Sequence, residues 1–221
     1  ILLDFGHAWW VDSLWLYPFT IVSVVGFLGN AFSFCVLSTG EFRAQNNSPL
    51  YAYLRVYTVN SSMMNFFCIF IFACNAYRQL AWTNAEWTHI YWLYIFVPIT
   101  LTNYTYGTLL DLIILLDRIG NFVEPVRRVF TERLGVLKQC LASFALSVLI
   151  TFPIYFMYCP NSATYQLAAN TWYTIWFPDV SQWFAKTLTG TVLNFTSNVL
   201  RDLTLMLLEI GLTVYSIVLL K

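Results

Sequence analysis

Two carboxylates interrupt otherwise apolar runs: Asp111 within Ile90–Leu116 and Glu209 within Leu203–Leu220. A charge that deep in hydrocarbon costs about 2.5–3.5 kcal/mol on insertion scales, so it faces the protein interior and finds partners. Asp111 lies seven residues before Arg118. Seven residues are two helical turns, which puts both on nearly one face about 10 Å apart. Extended the other way, that face carries Gly107, then Asn103 and Tyr104, then Thr100: a polar stripe on an apolar helix. With Asn30, Asn60 and Ser61 from neighbouring runs, Asp111 would make a buried polar network able to hold water or a cation. The plainer alternative is a structural carboxyl that is protonated or hydrogen-bonded. For Glu209 the sequence leaves two options open, facing the bundle or pairing with the helix that carries Asp111.

Other reactive types are sparse. His7 and His89 are isolated, and the five cysteines form no Cys-x-x-Cys pair, so no zinc or redox framework is expected. No Gly-x-Ser-x-Gly elbow, phosphate loop or His-Glu-x-x-His site occurs. The chain reads as a non-enzyme with no metal and no cofactor. Cys74 and Cys159 fall at helix ends on one side and would suit a disulfide if their Cα atoms come within about 7 Å. Asn194-Phe195-Thr196 is a glycosylation sequon in a predicted loop, whereas those at Asn60 and Asn103 fall in predicted helices and should be unused.

The elements that position these residues follow from composition. Of 221 residues, 59% are hydrophobic and only 22 are charged, with no net charge. A soluble domain of this length carries roughly 55 charged residues at about 25%. That balance excludes a disordered chain, argues against a soluble globule and gives no sign of nucleic-acid binding. A bilayer helix needs about 20 apolar residues, and five windows qualify. Helices are expected over 14–39, 51–77, 88–117, 137–158 and 201–220, with a long loop over 159–200, in one transmembrane domain spanning 1–221. The chain starts at Ile1 and stops at Lys221 directly after an apolar run, which reads as a segment of something longer.

Five crossings place eight Lys and Arg on one side and three on the other. The positive-inside rule then puts the N-terminus outside. All nine tryptophans fall at or beyond the outer face. Either they form an interfacial belt with a packed loop, or they line an aromatic vestibule that receives a ligand, with Trp172 and Trp176 among its walls. Arg127, Arg128, Arg133 and Lys138 make the inner loop basic, as an anionic leaflet favours.

The third window ends Leu115-Leu116-Asp117-Arg118-Ile119-Gly120-Asn121-Phe122-Val123-Glu124-Pro125. This resembles the Asp-Arg-Tyr signature of rhodopsin-like G-protein-coupled receptors, in which a proline follows eight residues after the aspartate. Gly26-Phe27-Leu28-Gly29-Asn30 resembles the family's Gly-Asn motif in the first helix. The resemblance spans the chain as five helices of the expected seven. It implies that Asp117 and Arg118 form a switch that opens toward a heterotrimeric G protein, with Pro125 and Val126 as further contacts. It implies a ligand pocket at Thr100, Asn103 and Tyr104. The chain departs from the family in lacking the acid of the second helix, the tryptophan of the fourth, the proline of the fifth and the cysteine near the start of the third. Asp111 would take over the role of the missing acid. No acid occupies the pocket region, and the long aromatic loop suits a peptide better than an amine.

The expectation is therefore an all-α membrane protein, a partial seven-helix bundle in the plasma membrane with five helices present and an extracellular N-terminus. It would transmit a peptide signal to a G protein across the lipid bilayer. The competing expectation is an ion or solute transporter, or a channel subunit, that uses Asp111 and Glu209 in its path.

Overall fold

The computed structural model describes residues 2–39, 49–76, 86–127, 135–168, 171–181 and 183–219. Two long helices open the chain: α1 (Leu2–Leu37) and α2 (Pro49–Ala76). Next come α3 (Glu86–Tyr91), a π-helical turn (Trp92–Phe96) and α4 (Val97–Gly120). The π turn ends two residues before Pro98, the second residue of α4. A proline ring has no N–H and crowds the carbonyl four residues back, which a widened turn accommodates.

Short α5 (Glu124–Arg127) precedes α6 (Val136–Thr151). Gly135 introduces α6 with φ of 62°, a conformation that favours glycine. Pro153 interrupts α6 before the single turn α7 (Ile154–Met157). A β-hairpin follows, β1 (Tyr158–Ala168) antiparallel to β2 (Thr171–Val180), with Pro160 opposite Pro178. The facing prolines concentrate two missing donors on one rung. Finally α8 (Leu188–Asn198), a π stretch (Val199–Thr204) and α9 (Leu205–Leu219) run end to end.

Four helical stretches among the described residues are long and apolar enough to cross a membrane: Tyr17–Leu37, Leu93–Gly120, Val136–Met157 and Leu188–Leu219. The 28-residue α2 also carries an uncharged run, Val56–Ala76, whose last seven side chains lie outside the described residues. The expected loop over 159–200 needs correcting. Its first half is the hairpin, and the last helix begins at Leu188 rather than near 201. The Thr187 hydroxyl starts that helix by accepting the Gly190 N–H at 3.0 Å, a serviceable N-cap. The first helix likewise starts at Leu2 rather than near 14.

The central helix is α4, which packs against α2, α6 and α9, while α1 packs along α2. One apolar cluster joins Tyr53, Tyr106, Leu110, Ile113, Ile114 and Cys140 across α2, α4 and α6. Another joins Leu109 and Leu112 of α4 to Leu205 of α9, with Leu212 packed against it. Polarity is distributed inside out. Ser23, Thr58, Thr102, Thr105, Ser143, Ser147 and Thr151 are buried, while Val22, Val25, Phe32, Leu137, Leu149 and Val218 are exposed. Such a surface is stable only where the solvent is lipid.

Candidate functional site

The stripe Thr100–Asn103–Gly107–Asp111 lies along α4 and meets α2. At its middle the Asn60 amide donates to the Asn103 carbonyl at 2.9 Å, and both residues are buried. Gly107 makes room for this contact, because a Cβ there would stand 3.2 Å from Asn60 Nδ2. Further along the stripe, the Tyr57 hydroxyl hydrogen-bonds the Asp111 carboxyl, and Ser61 bonds Tyr57 from one turn along α2. Glu209 of α9 acts electrostatically on both Asp111 and Tyr57.

Of the residues expected in the network, Asn60 meets α4 at Asn103, Ser61 and Asp111 both lie by Tyr57, and Asn30 stays on its own helix. The Asn30 amide donates to the Gly26 carbonyl of its own helix at 2.8 Å. That bond keeps the Asn30 side chain on its own helix. Tyr57 and Glu209 are the members that the expected network lacked. The signal for Tyr57 was its position four residues before Ser61, on the face that Asn60 borders.

Thr100 Oγ1 and Asn103 Nδ2 are buried without a hydrogen-bond partner, while Tyr104 is exposed and lies in electrostatic range of Arg201. Arg201 is held on its own helix, its Nε and Nη2 donating to Asp202 at 2.7 Å each and Nη2 also to Asn198 at 3.0 Å. An apolar groove of about 320 Å³ runs between α1 and α2, walled by Phe27, Ala31, Phe34, Val59, Met63 and Phe66. The side chains of Trp172 and Trp176 lie outside the described residues, although their backbones form β2.

At the far end of α4, Arg118 is exposed and Asp117 is half-buried in electrostatic range of Tyr53. The Tyr53 hydroxyl donates to Gln139 Oε1 at 2.8 Å, which ties α2 to the first turn of α6. Pro125, exposed, and Val126, half-buried, lie on α5 just beyond. Cys159 carries a free thiol opposite Asp179 on the hairpin, and the side chain of Cys74 lies outside the described residues. Asn194 sits within α8 rather than a loop, so the argument that set aside Asn60 and Asn103 applies to it as well. Among the described residues no group of three or more His, Cys, Asp or Glu is placed to hold a metal. No protein-family model and no curated protein matches this chain.

Proposed function

We propose that this chain is the first five helices of a divergent rhodopsin-like receptor that couples an extracellular peptide to a heterotrimeric G protein from the plasma membrane. The observation that carries the reading is the end of α4. An exposed Arg118 follows a half-buried Asp117, and the short helix bearing Pro125 and Val126 stands directly beyond it. In that reading the Arg118 end faces the cytoplasm and the hairpin faces outward. Two antiparallel strands, aromatic in sequence, offer an extended peptide a backbone edge to pair with. Arg118 leaves Asp117 when the receptor engages its G protein, and the two states differ by only a few kcal/mol so that a ligand can shift them.

The test is physical association. The full-length parent, solubilised with purified nucleotide-free heterotrimer, should retain the heterotrimer on a column and release it when a guanine nucleotide is added. Retention indifferent to nucleotide would contradict the reading. A second reading, a transporter or channel subunit, draws on the convergence of Asp111 and Glu209 on Tyr57. It predicts an ion current or solute uptake that Asp111→Asn removes.

A further inference from the structure

The Ser197 hydroxyl of α8 donates to the Ile150 carbonyl of α6, so those two residues stand level. From there Met157 lies seven residues along its helix and Leu188 nine along its own. At 1.5 Å per residue these are rises of about 10 and 14 Å. The spanning stretches Val136–Met157 and Leu188–Leu219 therefore reach one boundary together, on the hairpin side. Ser181 and the turn 183–187 lie between them, and hydrogen bonds hold that turn at the boundary. The Ser181 N–H donates to the Met157 carbonyl at 2.8 Å, and the Ala185 N–H donates to the Ser181 carbonyl at 3.0 Å. The rings of the turn pack on α7: Phe156 stands 5.7 Å from Trp183 and 5.6 Å from Phe184, centre to centre. Phe156 also meets Phe152, at 5.1 Å, at the end of α6.

Trp183 is nevertheless 67% exposed. The outer surface runs in order from Leu149 to Phe152, Trp183 and Lys186, all of them exposed. That is aliphatic, aromatic, aromatic with an N–H donor, then cationic. A bilayer boundary has the same order: acyl chains, then glycerol esters that accept hydrogen bonds, then phosphates. A protein partner or a second copy of the chain would not require it. We propose that the turn 183–187 is an interfacial anchor, docked on the lipid headgroup boundary of the leaflet on the hairpin side. The Trp183 ring sits at the glycerol esters, and Lys186 reaches the phosphates. The Ser181 bond to Met157 passes this anchorage to the base of the hairpin, and Thr187 passes it to the start of α8. The anchor rests on the spanning stretches and not on the receptor reading: it holds equally for a transporter, and the association test does not probe it.

The test is photolabelling of the full-length parent in lipid nanodiscs, with adducts mapped by mass spectrometry. Three diazirine probes are compared: a lipid reactive near its glycerol, a lipid reactive at its chain end, and a water-soluble reagent. The glycerol-level probe should label the turn 183–187, the chain-end probe should label the stretch around Leu149, and the water-soluble reagent should label the hairpin more than the turn. Trp183→Ser combined with Lys186→Gln should shift the label on the turn from the glycerol-level probe to the water-soluble reagent. A wild-type turn labelled chiefly from water would be a solvated loop, one labelled chiefly by the chain-end probe would lie in hydrocarbon, and one labelled by none of the three would be covered by protein. Each of these overturns the proposal, as does a profile unchanged in the double variant. Should that variant fail to fold, the wild-type profile decides alone.

Discussion

Asn30 and Asn60 are the same residue type in adjacent helices, yet only one of them builds tertiary structure. Asn30 donates to its own preceding turn, and Asn60 donates across to α4. The difference lies in the opposing surface. Asn60 meets a helix whose Gly107 leaves a notch for its amide. Gly107→Ala would push that amide by a few tenths of an ångström and weaken its bond to the Asn103 carbonyl. The expected cost is about 1 kcal/mol, read as a lower thermal midpoint in nanodiscs, and an unchanged midpoint would mean that the notch is not used. Tyr53→Phe should cost about 0.6–2 kcal/mol, because it removes the hydroxyl that ties α2 to Gln139 of α6. The sequence marked Asp111, Asn60 and Ser61 as buried polar residues because their types are costly in an apolar run. It did not mark Tyr57, since a tyrosine in such a run is ordinary until its hydroxyl has an address.

At the scale of elements, long apolar runs were legible and their ends were not. The helix starting at Leu188 was read as loop because Thr189, Gly190, Thr191, Asn194, Thr196, Ser197 and Asn198 are weakly apolar and Arg201-Asp202 looked like a boundary. The pair is instead absorbed by a π stretch inside the helix. Thr187 was the overlooked start signal. Gly190 is required there, since a Cβ would meet the Phe184 carbonyl. Gly190→Ala should cost about 1–3 kcal/mol, visible as faster amide exchange over the first turn of α8, and unchanged exchange would show that the backbone yields cheaply.

The hairpin escaped notice because its prolines resemble loop signals. At its base Asn161 donates to Asp179 at 2.9 Å, and the Val180 N–H donates to the same carboxylate at 2.7 Å. The bond from Asn161, then that from Val180, with Lys186 nearby, holds the Asp179 carboxyl below its ordinary value. A lowered value in the folded hairpin means that its contribution is present above the ordinary carboxyl range and lost as pH falls through the lowered value. The hairpin should therefore loosen below about pH 4, and Asp179→Asn should remove that dependence. An acid transition unchanged in the variant would assign it to another group.

At the scale of the whole molecule, the described residues bury many hydroxyls and expose many large apolar side chains, and the helices are tied by hydroxyls as well as by apolar clusters. Thr102 and Thr151 share a 2.7 Å bond between α4 and α6, and the Ser197 hydroxyl donates to the Ile150 carbonyl from α8. This inversion was legible from composition alone, since 22 charges cannot coat 221 residues. The assembly was not, because which helix sits at the centre depends on contacts between residues far apart in sequence. The receptor account makes α4 the coupling rod, with Asp111 midway along it and Arg118 at its end. Guanine-nucleotide exchange tests that most directly, in membranes of the full-length parent screened against a peptide library, with Arg118→Ala beside the wild type at matched surface expression. The account predicts exchange, stimulated or constitutive, in the wild type and its loss in Arg118→Ala. Wild-type exchange that persists undiminished in Arg118→Ala would contradict it.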